Sequence, residues 1–298
     1  MRKRTLGAIS AVVLGLFSLN SDAGEPARAV FVGAKVWTAD GPDHTDFGGF
    51  SALELDDTGT GFVALTDKGN ITKGRFVRDP AGRVIRVERA VLSKLSGPDG
   101  PLGERQTDSE GLALVEGGDF YVSFESANRI LKYRTDGHIT AVSSAPDFAG
   151  LQSNSGLEAL AADSKGRLYT LPERSGKLTR PFPVWRYDGK NWQVAFEMSR
   201  SGSFLPVGAD FGPDGWLYVL ERGFNGFGFQ SRIRRFPPDQ PGVADGATLL
   251  VTSIGVHDNL EGISVWQDND GAIRITMIAD DNFKSFQRTE IVDYRLTQ

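Results

Sequence analysis

Apolar and polar residues alternate along most of this chain in runs of about four to eight, and few stretches hold a 3.6-residue period beyond about two turns. The pattern predicts strands, with helices minor. A longer period overlies the short one. Ser51–Leu55, Glu110–Leu114, Glu158–Ala162, Val207–Phe211 and Glu261–Val265 each open on a marked residue and place apolar side chains two and four positions later. A glycine-containing turn follows each: Asp57-Thr58-Gly59, Glu116-Gly117-Gly118, Asp163-Ser164-Lys165-Gly166, Pro213-Asp214-Gly215 and Asp268-Asn269-Asp270-Gly271. A second strand comes next in every case, so one hairpin recurs through the chain.

The marked residues are 59, 48, 49 and 54 positions apart, enough for four antiparallel strands per repeat. The expected fold is all-β, a β-propeller of five blades. Only 37 residues follow Glu261, room for about three strands. The isolated run Val30–Trp37 is placed to supply the fourth, closing the ring and removing its open edges. Six blades is the alternative, since Phe76–Leu95 has room for irregular strands, and a closed β-sandwich is another.

The N-terminus reads as a secretory signal over residues 1–23: basic Met1–Arg4, an apolar or small run Leu6–Leu19, then Ser21-Asp22-Ala23. That run of 14 residues is short of the roughly 20 a spanning helix needs, and nothing later approaches that length. Residues 24–298 are expected to form a single periplasmic or secreted domain with no membrane span. Its net charge of −7 argues against nucleic acid, which requires a basic face. The absence of cysteine excludes disulfides, thiol nucleophiles and cysteine-based zinc sites. G-x-S-x-G, P-loop, G-x-G-x-x-G and H-E-x-x-H patterns are also missing.

In a propeller the innermost strands line a central channel. The repeat puts Glu110, Glu158 and Glu261 at one position in three blades, with Ser51 and Val207 in the other two. A second ring follows at the ends of the second strands: Asp67, Glu125, Glu173, Glu221 and Asp280-Asp281. Confined carboxylates raise one another's pKa or recruit a hard cation such as calcium, and these residues are the metal candidates. Satisfaction of backbone amides at blade junctions is the alternative role. Lys68, Arg174 and Arg222 each follow a second-ring acid and are candidates to hold an anionic small-molecule substrate, or to pair with surface acids. His257, four residues before Glu261, is a candidate general base, ahead of His44 and His138. The loop Gly223–Phe229 carries three aromatic residues and reads as a lid, a contact loop or an insertion folded over its blade.

Asp108-Ser109-Glu110-Gly111-Leu112-Ala113, Asn154-Ser155-Gly156-Leu157-Glu158-Ala159-Leu160 and Asp258-Asn259-Leu260-Glu261-Gly262-Ile263-Ser264 resemble the repeated motifs of the phytase-like family, described as having esterase-like activity. Gly48–Leu53 and Ala279–Phe283 resemble it too, and the likeness spans residues 47–296. It implies a secreted propeller with phosphoester or carboxylester hydrolase activity. The functional expectation is a metal-assisted ester or phosphoester hydrolase in which Glu110, Glu158 and Glu261, with the second ring, bind calcium while a carboxylate-held water attacks. A non-catalytic ligand- or partner-binding propeller, and a sugar lactonase or sugar oxidoreductase, are the alternatives.

Overall fold

The structure is a computed structural model that describes residues 27–38, 46–151 and 156–297. Residues 1–23, His44 and the Asn154-Ser155 portion of one motif lie outside the described residues. The alternating pattern produces strands throughout, with two short 3₁₀ turns and no α-helix among the described residues. No helix there is long and apolar enough to cross a membrane.

Five antiparallel sheets form the blades of a propeller. Blade 1 contains Phe50–Leu55, Gly61–Thr66, Asn70–Arg78 and Val84–Lys94; blade 2 contains Ser109–Leu114, Phe120–Phe124, Arg129–Tyr133 and Ile139–Ala141. Blade 3 is Leu157–Ala162, Leu168–Pro172, Phe182–Tyr187 and Trp192–Met198, with Val243–Ala244 added in parallel at its edge. Leu205–Phe211, Leu217–Phe224, Phe229–Phe236 and Ala247–Val251 make blade 4. Blade 5 takes Asn259–Gln267, Ile273–Asp280 and Glu290–Thr297 from the C-terminus and Arg28–Val36 from the N-terminus. The stretch that left room for a sixth blade supplies the outer strands of blade 1.

The turns between first and second strands follow from their sequences. Asp163 Oδ1 accepts the amides of Lys165 and Arg167 at 3.0 and 2.9 Å, and Gly166 takes the left-handed φ of +73° that the reversal requires. The core is divided into five clusters, one at each blade–blade junction, and the junction of blades 5 and 1 completes the circle. There Trp37 stacks on Phe50 at 4.9 Å and meets Phe47 and Phe62 edge-on.

One irregularity repeats in every blade. The first two strands lose register between Phe50 and Ala52, Ser109 and Leu112, Leu157 and Ala159, Pro206 and Gly208, and Leu260 and Gly262. Each shift is a β-bulge, an extra residue that re-aims its side chain. The extra residues fall at Ser51, Glu110-Gly111, Glu158, Val207 and Glu261, the marked positions of the sequence repeat.

Beside the bulges, neighbouring innermost strands approach too closely for a Cβ. One added to Gly208 would lie 2.3 Å from the Glu261 carbonyl oxygen, and one on Gly262 would lie 2.7 Å from the Leu53 amide. These obstacles are backbone, which cannot rotate away. Gly208→Ala is therefore expected to cost about 1–3 kcal/mol in urea denaturation, as overpacking does. An unchanged midpoint would contradict this account of the ring's tightness.

Candidate functional site

The bulges point carboxylates into one end of the channel, where the second strands also finish. Backbone bonds fix the equivalent positions there: Asp67 donates its amide to the Gly49 carbonyl at 2.8 Å, Glu125 to Asp108 at 2.9 Å and Glu173 to Gly156 at 3.2 Å. In blade 5 the matching pair is Asn259 and Asp280. In blade 4 it is Leu205 and Arg222, because Pro206 pairs with Glu221. The second ring is thus Asp67, Glu125, Glu173, Arg222 and Asp280. A one-residue slip moves a side chain to the opposite face of a sheet, which removes Glu221 from the expected set. Its fully buried carboxylate is bound by Arg232 and Arg234 at 2.7–2.8 Å, and Arg234 in turn holds the Ser199 carbonyl at 3.0 Å.

The densest convergence is on blade 2. One oxygen from each of Asp108, Glu110 and Glu125 lies within 4.8 Å of the other two. Asp108 was not singled out in the sequence, although it opens the motif that contains Glu110 and stands two residues before it, as Asn259 stands before Glu261; that this position lies opposite the second ring appears only once the register is known. Glu158 lies close enough to Glu125 for each carboxyl to bear on the acidity of the other. Glu125 also accepts the Gly156 amide at 3.1 Å. Across the channel, Arg222 donates to Glu173 at 2.9 Å, to Asn259 Oδ1 at 3.0 Å and to Glu261, which also accepts from Asn259 at 2.9 Å. A carboxylate oxygen of Asp67, Oδ1, is buried and has no hydrogen-bond partner among the described residues.

Crowding changes the acidities. Burial, reinforced by Glu158 and Glu261, pushes the Glu110 carboxyl well above the usual range. Burial, with Glu173, Glu125 and Glu261, does the same to Glu158, against a smaller opposing pull from Arg222. Glu261 is raised by burial and restrained by Arg222 and Asn259. Asp67, Glu125 and Asp280 are each raised to about 7, first by burial and then by a neighbouring acid: Asp280 for Asp67, Asp108 for Glu125 and Glu261 for Asp280.

These carboxyls bind protons more tightly folded than unfolded. Their contribution to stability is complete below the ordinary carboxyl range and is lost as pH rises through about 7. In chelator, the melting temperature should fall by several degrees between pH 5 and pH 8, as scanning fluorimetry would show. A rise over that interval would contradict the crowding.

The other expected residues lie at the rim or away from it. Asp281 spends its oxygens on the Gly49 and Phe283 amides, both at 3.0 Å, and on Thr289 at 3.1 Å, tying blade 5 to blade 1. Lys68 is exposed, its Nζ 3.0 Å from the centroid of Phe283, and Arg174 is exposed beside Glu173 at 3.2 Å. Strand alternation separates both from the channel; only Arg222 of the three cations enters it. His257 is buried within blade 5, 2.7 Å from the Tyr294 hydroxyl and 3.6 Å from Glu290, so it is not brought to the carboxylate cluster. His138 is exposed and faces Asp136.

The family described as "esterase-like activity of phytase" matches residues 45–283. The chain belongs to this phytase-like family. No curated protein matches it. Solved structures similar to this phytase-like protein include a calcium-binding protein, regucalcin, from Agrobacterium tumefaciens, with 13% identity, 84% of this chain and 77% of that one covered, and a TM-score of 0.46. The PQQ-bound aldose sugar dehydrogenase of Streptomyces coelicolor shows 14% identity, coverage of 89% and 98%, and a TM-score of 0.46. Virginiamycin B lyase from Staphylococcus aureus shows 13%, 91%, 99% and 0.39 in the same order.

Proposed function

We propose that this protein is a cation-assisted ester hydrolase, of carboxyl- or phosphoesters, working outside the cytoplasm at the carboxylate-filled end of its channel. The observation that carries this reading is the convergence of Asp108, Glu110 and Glu125 beside Glu158. An all-oxygen donor set without histidine or cysteine suits calcium or a similar hard cation, and the orphaned Asp67 oxygen marks further unused donor capacity nearby. Asp108, Glu110 and Glu125 would hold the ion, which when bound would polarise the ester oxygen.

The chain's own groups divide the proton work. Glu158, whose carboxyl is held well above the usual range by burial and then by its acidic neighbours, is suited to donate to the departing oxygen. Asp67, titrating near neutrality with one unpartnered oxygen, is suited to take the proton of the attacking water. Arg222, fixed by Glu173, Glu261 and Asn259, offsets negative charge as the substrate enters. The basic and apolar segment at residues 1–23 supports export.

Purified protein stripped with chelator and offered chromogenic acyl esters, lactones and phosphomonoesters tests the reading. Turnover of at least one class should require added calcium and fail in Glu158→Gln. Turnover of none, with calcium, magnesium or manganese, would overturn it.

A further inference from the structure

The loop of blade 4 carries apolar side chains that the chemistry above leaves unused. Phe224 is 59% exposed and Phe227 97%, while Ile254 and Val256, in the connector from blade 4 to blade 5, are each about half exposed. The loop is built to present them. Asn225 Oδ1 accepts the amides of Phe227 and Gly228 at 3.0 and 3.2 Å, fixing the turn; Phe224 and Phe229 rings lie 5.0 Å apart. The connector is pinned alongside, with the Gly255 amide donating to the Phe229 carbonyl at 2.8 Å and Ile254 lying against Gly228.

The position of this patch follows from the register of one strand. Leu217–Phe224 pairs without a shift all the way to Phe224 opposite Phe229, so side chains alternate faces to its end. Arg222 projects to the channel, where it binds Glu173, Glu261 and Asn259. Phe224, two residues on, stands on the same face one step further out, while Glu221, immediately before Arg222, points the opposite way into its arginine pair. The same connector that bears Ile254 and Val256 leads directly into Asn259 and Glu261. An apolar wall therefore continues from the polar channel end.

We propose that Phe224, Phe227, Ile254 and Val256 form the subsite for the apolar acyl chain of a carboxylester whose ester group lies in the channel. This rests on the hydrolase reading and narrows its substrate class to esters of medium-chain or aromatic acids. The apolar surface is worth occupying only by a group long enough to reach it from the ester carbon. Rates should thus rise with chain length until the wall is covered, by about twofold to fourfold per methylene.

The test compares kcat/KM for p-nitrophenyl acetate, butyrate, hexanoate and octanoate in the wild type, Phe224→Ser, Phe227→Ser and the double variant, with Leu178→Ser, an exposed apolar residue on blade 3, as control. The wild type and the control should favour octanoate over acetate by at least tenfold; the double variant should lose that preference while keeping acetate hydrolysis. A second readout needs no turnover: the fluorescence of the neutral probe N-phenyl-1-naphthylamine should report binding that the double variant weakens at least tenfold. Probe binding without hydrolysis of any ester would overturn the hydrolase reading and, with it, the assignment of the wall to an acyl chain. Hydrolysis with no chain-length preference, or a preference that survives in the double variant, would overturn the subsite alone. So would binding to phosphatidylcholine vesicles that the same substitutions abolish while chain-length preference persists, since the patch would then be a membrane contact.

Discussion

A chain that begins at residue 38 should show no cooperative unfolding transition, whereas one that begins at residue 27 should melt like the full-length protein. Arg28–Val36 pairs with Glu290–Thr297 from Arg28 opposite Thr297 to Val36 opposite Glu290, with a single irregularity. Removing it exposes the long edge of the C-terminal strand and deletes Trp37 from the cluster where blades 5 and 1 meet. Loss of a buried tryptophan side chain alone costs about 3–5 kcal/mol, against a total stability of about 5–15 kcal/mol for a typical domain. The lost ladder and the exposed edge add to that. Circular dichroism during heating distinguishes the outcomes, and equal melting temperatures for the two chains would refute closure by this strand.

Glu158→Gln should lower calcium-dependent ester turnover by about 10²- to 10⁴-fold, the range in which general acid catalysis contributes. The substitution keeps the shape and most of the hydrogen-bonding of the side chain but cannot supply the acidic proton. It also removes one member of a crowded group in which burial, and then Glu173, Glu125 and Glu261, raise the Glu158 carboxyl. The metal-free variant should therefore be at least as stable as the wild type at pH 8, which separates lost chemistry from lost folding. Full activity would take Glu158 out of the mechanism, and a large fall in melting temperature would make its role structural.

The five-blade ring and its closing strand were legible in the sequence because hydrophobic periodicity and repeat spacing record which faces must be buried. The axial placement of Glu110, Glu158 and Glu261 was legible for the same reason: the bulge recurs, so its residue stands out in each repeat. The second ring was harder to read. In blade 4 the pair Glu221-Arg222 offers an acid where the other blades have one, and only the pairing of Pro206 with Glu221 shows that Arg222 occupies the ring. Such a slip leaves no trace in composition. Asp108 was hidden because it precedes the strand, and its convergence with Glu125 depends on a backbone bond between two strands. His257 illustrates the opposite error, closeness in sequence to Glu261 without closeness in space, since the connector carries it to Tyr294.

Calcium-linked stability tests the central claim most directly, because a site assembled from separate strands exists only in the folded protein. Free calcium at about 100 times its dissociation constant should stabilise the stripped protein by roughly 2.7 kcal/mol, or several degrees in melting temperature at pH 8. The shift should shrink as pH falls below about 7, where protons compete for Glu125. Glu110→Gln should remove most of it, and Glu88→Gln, beside Arg86 on the outer surface of blade 1, should leave it intact. A shift of this size in the wild type that Glu110→Gln abolishes is the predicted result; no shift with millimolar calcium, magnesium or manganese would contradict a cation site at the channel end.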